Sequence, residues 1–374
     1  MIANGDRDQS VRIACSPVGG DLKCSGLGES VPRGESIMPV HFHSLARSVW
    51  RLAAVAALVA FAAPPLHAQA GEGSNIVVIP KGTTHDFWQA VHAGAAKADR
   101  ELDQVAITWQ GPLREDDRNS QIQIVQSHVA KKTDAIVLAP LDARSLRNAV
   151  IQANRRGIPV VIIDSDIERE GVEIVSFVAT DNERGGELAG RELGRLLGGK
   201  GHVIMLRYAV GSASTEAREA GFLKAIAEFP EIKVISENQY AGATSDEALQ
   251  KSNSLLNAMK DQQIDGIFCP NESSTFGMLL ALRNHGLAGK VRFIGFDASP
   301  KLLDALKAGQ IDGLVVQNPF LMGYEGVMAA ARALAGDEVA ERIDTGVALV
   351  TRENFELPEI QEVIAPPLEE YLKE

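Results

Sequence analysis

The residue types able to do chemistry stand at the ends of apolar runs. Asp164 closes Val160-Val-Ile-Ile and Asp297 closes Arg292-Phe-Ile-Gly-Phe. A carboxylate there either accepts hydrogen bonds from two neighbouring hydroxyls of a ligand or serves as a turn or helix cap. The stretch Lys81-Gly-Thr-Thr-His-Asp-Phe-Trp88 follows the first apolar run. In it, Lys81 and His85 offer hydrogen bonds to a polar ligand, while Phe87 or Trp88 can cover an apolar face. Few polar groups, well placed, suffice for such a pocket. The alternative for this stretch is a loop that caps a helix and anchors it by its aromatics. Arg218 falls in the first turn of a helix expected over 215–228, where a cation opposes the helix dipole. It therefore has a ligand or carboxylate partner, or lies on the surface. Asn271 both donates and accepts, which suits a pair of hydroxyls. Gln317 ends a strand just before Pro319, which fits the first position of a helix.

Other chemistries find no anchor. There is no Walker loop and no G-x-S-x-G elbow. The eight His residues are not set at metal-ligand spacing; His85 and His92 share a helix face at best. Gly186, Gly190 and Gly194 recur every fourth residue, which marks a helix-packing face and not a nucleotide turn. Ser212-Ala-Ser-Thr215 reads as helix capping. No nucleophile is paired with a base, so an enzyme is not expected, nor a cofactor or metal.

These residues must be positioned by a repeated framework. The pattern A-x-x-A-G-x-x-K-A runs from Ala90 to Ala98 and again from Ala217 to Ala225. Asp134-Ala-Ile-Val matches Asp265-Gly-Ile-Phe, and the strand ending at Asp164 matches that ending at Asp297. The three matches keep their order with a slowly growing separation, as a duplication would. Short apolar runs expected as strands (75–80, 105–109, 135–139, 160–164, 174–179) alternate with helical patterns at 86–102, 119–131 and 143–156. The second half repeats the plan, with strands at 202–206, 233–236, 266–269, 292–296 and 313–316. Its helices are expected at 215–228, 245–259, 274–285, 301–308 and 321–334, and a last β-rich stretch at 343–350. Near-continuous apolar strands between helices indicate parallel sheets covered on both faces. Two α/β lobes with a cleft at the carboxyl ends of their strands follow, with Asp164 and Asp297 pointing in.

The 374 residues, 45% hydrophobic and 23% charged, are enough for two such lobes. The net charge of −12 and the 5% aromatic content disfavour nucleic acid as a partner. Arg47 and Arg51 flank the start of an apolar run at 52–63, and Ala68-Gln-Ala70 follows as a small-residue cleavage site. The run is shorter than the roughly 20 residues of a bilayer span. Residues 1–70 are thus expected to be an export signal that is cleaved, with Met38 as a candidate true start. Cys15 and Cys24 lie within it, and Cys269 alone remains in the mature chain, where it is expected to pack as a small hydrophobe.

Taken together, certain pieces resemble the periplasmic sugar-binding proteins of ABC importers, specifically the ribose-binding-protein-like group. They are Asp86-Phe-Trp88, the run from Gly157 to Asp164, Ala179-Thr-Asp-Asn182 with Gly185 and Gly186, the run from Ala217 to Phe222, Asn271-Glu272, Ile294 to Asp297, and Val316-Gln317. The resemblance spans roughly 75–350. It implies the type I periplasmic binding protein fold: α/β, two Rossmann-like lobes with parallel sheets, joined by a hinge of three crossings near Thr180, Gln317 and Val350. The lobes would be 75–180 with 318–349, and 181–317 with 350–374. Phe87 and Trp88 look like the aromatics that sandwich a sugar. Asp164, Arg218, Asn271, Asp297 and Gln317 look like its hydrogen-bonding partners. Lys81, His85 and Ser165 stand where the group usually has a small polar residue, an Asn and an Arg. The implied protein is a monomer of the periplasm. It carries a monosaccharide or polyol to a membrane ABC permease, and binds neither nucleic acid nor cofactor. A sugar acid answered by Lys81, or a sensor that reports occupancy to a chemoreceptor or kinase, are the alternatives. A repressor of the same two-lobed fold would need a DNA-binding helix pair where the apolar leader stands.

Overall fold

The computed structural model describes residues 73–373. The expected leader at 1–70, with Met38, lies outside them. The first half alternates β1 (Ser74–Ile79), α1 (Asp86–Glu101), β2 (Val105–Trp109), α2 (Arg118–Lys131), β3 (Ala135–Leu138), α3 (Arg147–Asn154), β4 (Val160–Ile163) and β5 (Ser176–Ala179). The chain then continues through α4 (Asn182–Leu196), β6 (Lys200–Arg207), α5 (Ala213–Ile226), β7 (Glu231–Tyr240), α6 (Ser245–Ala258), β8 (Gly266–Phe268) and α7 (Glu272–Asn284). It closes with β9 (Arg292–Phe296), α8 (Pro300–Lys307), β10 (Gly313–Gln317), α9 (Pro319–Ala335), β11 (Arg342–Asp344), β12 (Val347–Val350), α10 (Pro358–Ile364) and α11 (Leu368–Leu372).

Two six-stranded sheets result, in the orders β11-β5-β4-β3-β1-β2 and β12-β10-β9-β8-β6-β7. Position for position the orders are the same, so the duplication read in the sequence is a duplication of topology. Successive side chains of a strand face opposite ways. In β1, Ile76 and Val78 enter the core under α1 and α9, while Val77 and Ile79 enter the core under α2 and α3. Both faces are dry, which is why the strands read as unbroken apolar runs. The second lobe repeats this, with α4 and α5 on one face and α6, α7 and α8 on the other. Cys269 is fully buried in the latter core, as a small hydrophobe would be.

The repeated A-x-x-A-G pattern marks the tightest helix crossing of each lobe. A Cβ on Gly94 of α1 would meet the Phe320 carbonyl oxygen of α9 at 1.9 Å; one on Gly221 of α5 would meet that of Glu183 in α4 at 2.1 Å. Gly186, Gly190 and Gly194 lie along the same α4 seam, packed on Arg218, Phe222 and Phe229.

The chain passes between the sheets after β5, after β10 and between β11 and β12. The last passage differs from the expected crossing near Val350: the β-rich stretch over 343–350 holds two strands, and the chain crosses between them. β11 pairs parallel with β5 in the first sheet, whereas β12 pairs antiparallel with β10 in the second. Gly346, at φ +81°, lets the chain turn between them. The tail departs too. α10 packs in the second lobe through Ile360 and Ile364, but α11, assigned to that lobe on sequence grounds, returns to the first. There Tyr371 lies 5.6 Å from the Phe320 ring and under the Arg100 guanidinium at 4.9 Å. No hydrophobic pattern in so short a helix says which lobe it will cover.

Candidate functional site

The cleft between the lobes is built from strand ends. From the first lobe come Lys81 after β1, His85, Phe87 and Trp88 at the start of α1, Glu115 before α2, and Asp164 after β4. Facing them are Tyr208 after β6, Ser214, Thr215 and Arg218 of α5, Asn271 and Glu272 at the start of α7, Asp297 after β9, and Gln317 at the end of β10. Asp164 and Asp297 hold φ of 60° and 71°. Few non-glycine residues adopt that region, and those that do cluster at functional sites. Each backbone N–H donates to the adjacent strand, Asp164 to Val178 O at 3.1 Å and Asp297 to Val315 O at 2.8 Å. The two halves thus turn one carboxylate inward by the same local device.

Asp297 accepts from the Glu272 backbone N–H at 2.9 Å and from Gln317 Nε2 at 2.8 Å. Burial raises its pKa, countered in part by Arg218 and these donors. Arg218 is buried, with Nε donating to Asn182 Oδ1 at 2.8 Å, Nη1 to Pro270 O at 2.9 Å, and its plane 4.0 Å above the Phe296 ring. Burial lowers its pKa, while Asp297 and Asp164 pull it back up. Its Nη2 has no protein partner, and neither has Gln317 Oε1. α5 begins at Ala213, so Arg218 sits in the second turn and the dipole argument made from sequence does not apply to it. What marks Arg218 is its burial among carbonyl and carboxylate groups.

Across the cleft, Lys81 Nζ lies 2.7 Å from Asp164 and donates to Ser214 Oγ at 3.2 Å and Ser212 Oγ at 3.5 Å. The Ser212-Ala-Ser-Thr215 stretch, read as capping, therefore supplies cleft wall; Ser212 is the N-cap residue of α5 but its side chain makes no cap bond. His85 Nδ1 pairs with Glu115 at 2.9 Å. Burial pushes the His85 pKa down, but the Glu115 carboxylate outweighs it and raises the value to about 9. Burial would raise Glu115, yet His85, Lys81 and Tyr208 hold it at about 2. The same carboxylate accepts from Trp88 Nε1 and, across the cleft, from the Tyr208 hydroxyl.

Nine of the expected site residues line one cleft: Lys81, His85, Phe87, Trp88, Asp164, Arg218, Asn271, Asp297 and Gln317. Ser165 does not; its Oγ lies behind the wall and accepts the Ser214 backbone N–H at 3.0 Å. The expected sandwich also changes. Phe87 and Trp88 meet edge to face, with centroids 4.9 Å apart and planes at 89°, so no sugar ring fits between them. They form one wall. Asn271 is partly committed, because its Oδ1 caps α7 through the Ser274 N–H at 3.3 Å.

Glu115, Tyr208, Ser214, Thr215 and Glu272 were missed. Glu115 stands in the charged run 114–118, which looks solvated in sequence. Tyr208 was findable, since it follows the strand that repeats β1 and so stands at a strand end facing the cleft. Among the described residues, no group of three or more His, Cys, Asp or Glu could hold a metal ion.

A family model described as a periplasmic binding protein domain matches residues 76–338. The chain belongs to the periplasmic binding protein family. One relative within it, the D-ribose/D-allose-binding protein of Pseudomonas aeruginosa, is 28% identical over 297 residues, covering 76% of this chain and 91% of that protein. Among solved structures, the periplasmic component of an ABC-type sugar transport system from Hahella chejuensis is 37% identical. It superposes with a TM-score of 0.70 over 74% of this chain and 100% of that one. A carbohydrate transporter solute binding protein from Agrobacterium radiobacter, in complex with D-arabinose, is 35% identical. Its TM-score is 0.73, over 78% of this chain and 99% of that one. In a periplasmic binding protein, a cleft lined from both lobes is where a solute is held and where closure is felt.

Proposed function

We propose that this protein is an exported, non-enzymatic solute-binding protein. It captures a neutral monosaccharide or polyol between its lobes and delivers it to an ABC permease in the membrane. The observation that carries the reading is the balance of the cleft. Lys81 is matched by Asp164 and His85 by Glu115, while Arg218 Nη2 and Gln317 Oε1 are buried with no protein partner. One spare donor and one spare acceptor, beside the carboxylate of Asp297, suit hydroxyl groups, and the Phe87 and Trp88 wall suits the apolar face of a sugar ring. A sugar acid would place a negative charge beside the buried carboxylates of Asp297 and Glu272, where Lys81, His85 and Lys301 are already paired with Asp164, Glu115 and Glu272. Pentoses and hexoses are the first candidates, given the D-arabinose held by the Agrobacterium relative. The family and the leader-like N-terminus support a periplasmic location.

The test is a thermal-shift screen of the chain from Gly71 onward against pentoses, hexoses, polyols and sugar acids. A ligand at about 100 times its Kd adds about 2.7 kcal/mol of stability. A shift with a neutral sugar is expected; a shift with sugar acids alone overturns the charge argument, and silence across the panel overturns the sugar reading.

A further inference from the structure

The cleft does not end at its polar groups. A chamber of about 240 Å³ adjoins it and shares Phe87, Glu272, Asp297 and Gln317 with it. Beyond these shared residues the walls turn mainly apolar, with Asp86 and Ser299 the polar side chains among them. Ala90, Pro300 and Pro319 form one side, and the C-terminal strap that crosses from α10 to α11 supplies Val363, Ala365 and Leu368 on the other. Two buried oxygens at its polar end, Gln317 Oε1 and Ser299 Oγ, have no protein partner.

We infer that the chamber receives a compact apolar substituent carried by the sugar, so that the preferred ligand class is a small alkyl or aryl glycoside. The inference rests on the sugar reading above and deepens it. The polar cleft holds the sugar ring, and the chamber begins at the residues that bind its edge. For comparison, an apolar cavity of about 150 Å³ accommodates benzene, so a phenyl or propyl group fits here with room to spare. A second sugar unit is the poorer occupant. Gln317 Oε1 and Ser299 Oγ could accept from one or two of its hydroxyls, but the rest would meet proline rings and aliphatic side chains, and a buried hydroxyl without a partner is costly.

The experiment is calorimetric titration of the full mature chain with D-ribose and D-arabinose, their methyl and phenyl glycosides in both anomers, and a disaccharide of each. At least one phenyl glycoside is expected to bind about tenfold or more tighter than its methyl counterpart, the scale of an added apolar group in a fitted pocket. Ala365→Leu, at an exposed strap position, narrows the chamber; it should remove that gain and leave the free sugar unchanged. Free sugar binding with no phenyl glycoside preferred overturns the inference and spares the sugar reading. A disaccharide preferred over every phenyl glycoside overturns the apolar assignment in the same way. No binding of any probe overturns the pentose reading and this inference with it, and leaves the wider sugar reading to the thermal-shift panel.

Discussion

Arg218 and Asp297 are held in place before any ligand arrives, and this is what makes them good binding groups. Arg218 spends two of its nitrogens on Asn182 and Pro270 and keeps Nη2 in reserve. Asp297 is fixed by Glu272 and Gln317. Little side-chain entropy is left to lose on binding. Truncating a buried charged partner costs on the order of 2–5 kcal/mol, so Arg218→Ala or Asp297→Ala should weaken sugar affinity by roughly 30-fold or more. Titration calorimetry reads the loss and circular dichroism checks that the fold survives; unchanged affinity in both variants would sink the site assignment. His85 and Glu115 play a different part, because both belong to the first lobe and pair whether or not the lobes meet. Removing one member of a buried pair typically costs about 3–5 kcal/mol, so His85→Ala should lower the unfolding free energy by that order. The raised His85 value means its contribution is complete below pH 6.5 and is lost as pH climbs through about 9. The depressed Glu115 value means its contribution is complete above pH 4.5 and is lost as pH falls through about 2. Unfolding in urea across pH should therefore show a plateau between about 4.5 and 6.5 from this pair, absent in His85→Ala.

At the scale of elements, the lobes depend on two helix crossings so close that only glycine fits. Gly94 touches the α9 backbone and Gly221 the α4 backbone, and in both cases the obstruction is a carbonyl group with no rotamer to change. Overpacking of this kind costs about 1–3 kcal/mol and displaces whole helices. Gly94→Ala and Gly221→Ala should each lower stability by that amount in urea titration; a variant as stable as the parent would show that the crossing has slack. The two substitutions are also expected to differ in function. α1 has His85, Phe87 and Trp88 at its start and α5 carries Arg218, so a shift of either helix moves cleft residues, but only the α5 shift moves the guanidinium that faces Asp297.

Across the whole molecule, the lobes meet through a small set of polar contacts. The Tyr208 hydroxyl donates to Glu115, the Phe87 backbone N–H to Glu272 at 3.2 Å, and Lys81 to Ser214. A ligand that touches both lobes favours the arrangement in which these contacts form, and can shift the population only by its differential affinity for that state. Tyr208→Phe removes one of these bonds and leaves both cores intact. It should weaken sugar binding by about 1.5–3 kcal/mol, the worth of a hydrogen bond to a charged group, without changing the melting temperature of the ligand-free protein. An equal loss in both would mean that the bond supports folding and not closure.

The sequence by itself determined the lobe architecture, because a parallel strand buried on both faces has to be written as an unbroken apolar run. It also determined that Asp164 and Asp297 face a cleft, because ligands of open α/β sheets sit off the strand ends and both aspartates stand there. Only the tertiary structure decided what surrounds them. Glu115 looks solvated until His85, Trp88 and Tyr208 close over it, and Ser165 looks like a site residue until its hydroxyl is taken up by the Ser214 backbone N–H. Phe87 and Trp88 read as two faces of a sandwich but meet at right angles, since neighbours on one helix turn cannot flank a third ring. The return of α11 to the first lobe had no local signature either. These outcomes depend on contacts between residues more than 90 positions apart in some cases and on the angle between two helices in others. Neither is written in the spacing of residues along one segment, and both follow once the lobes have packed.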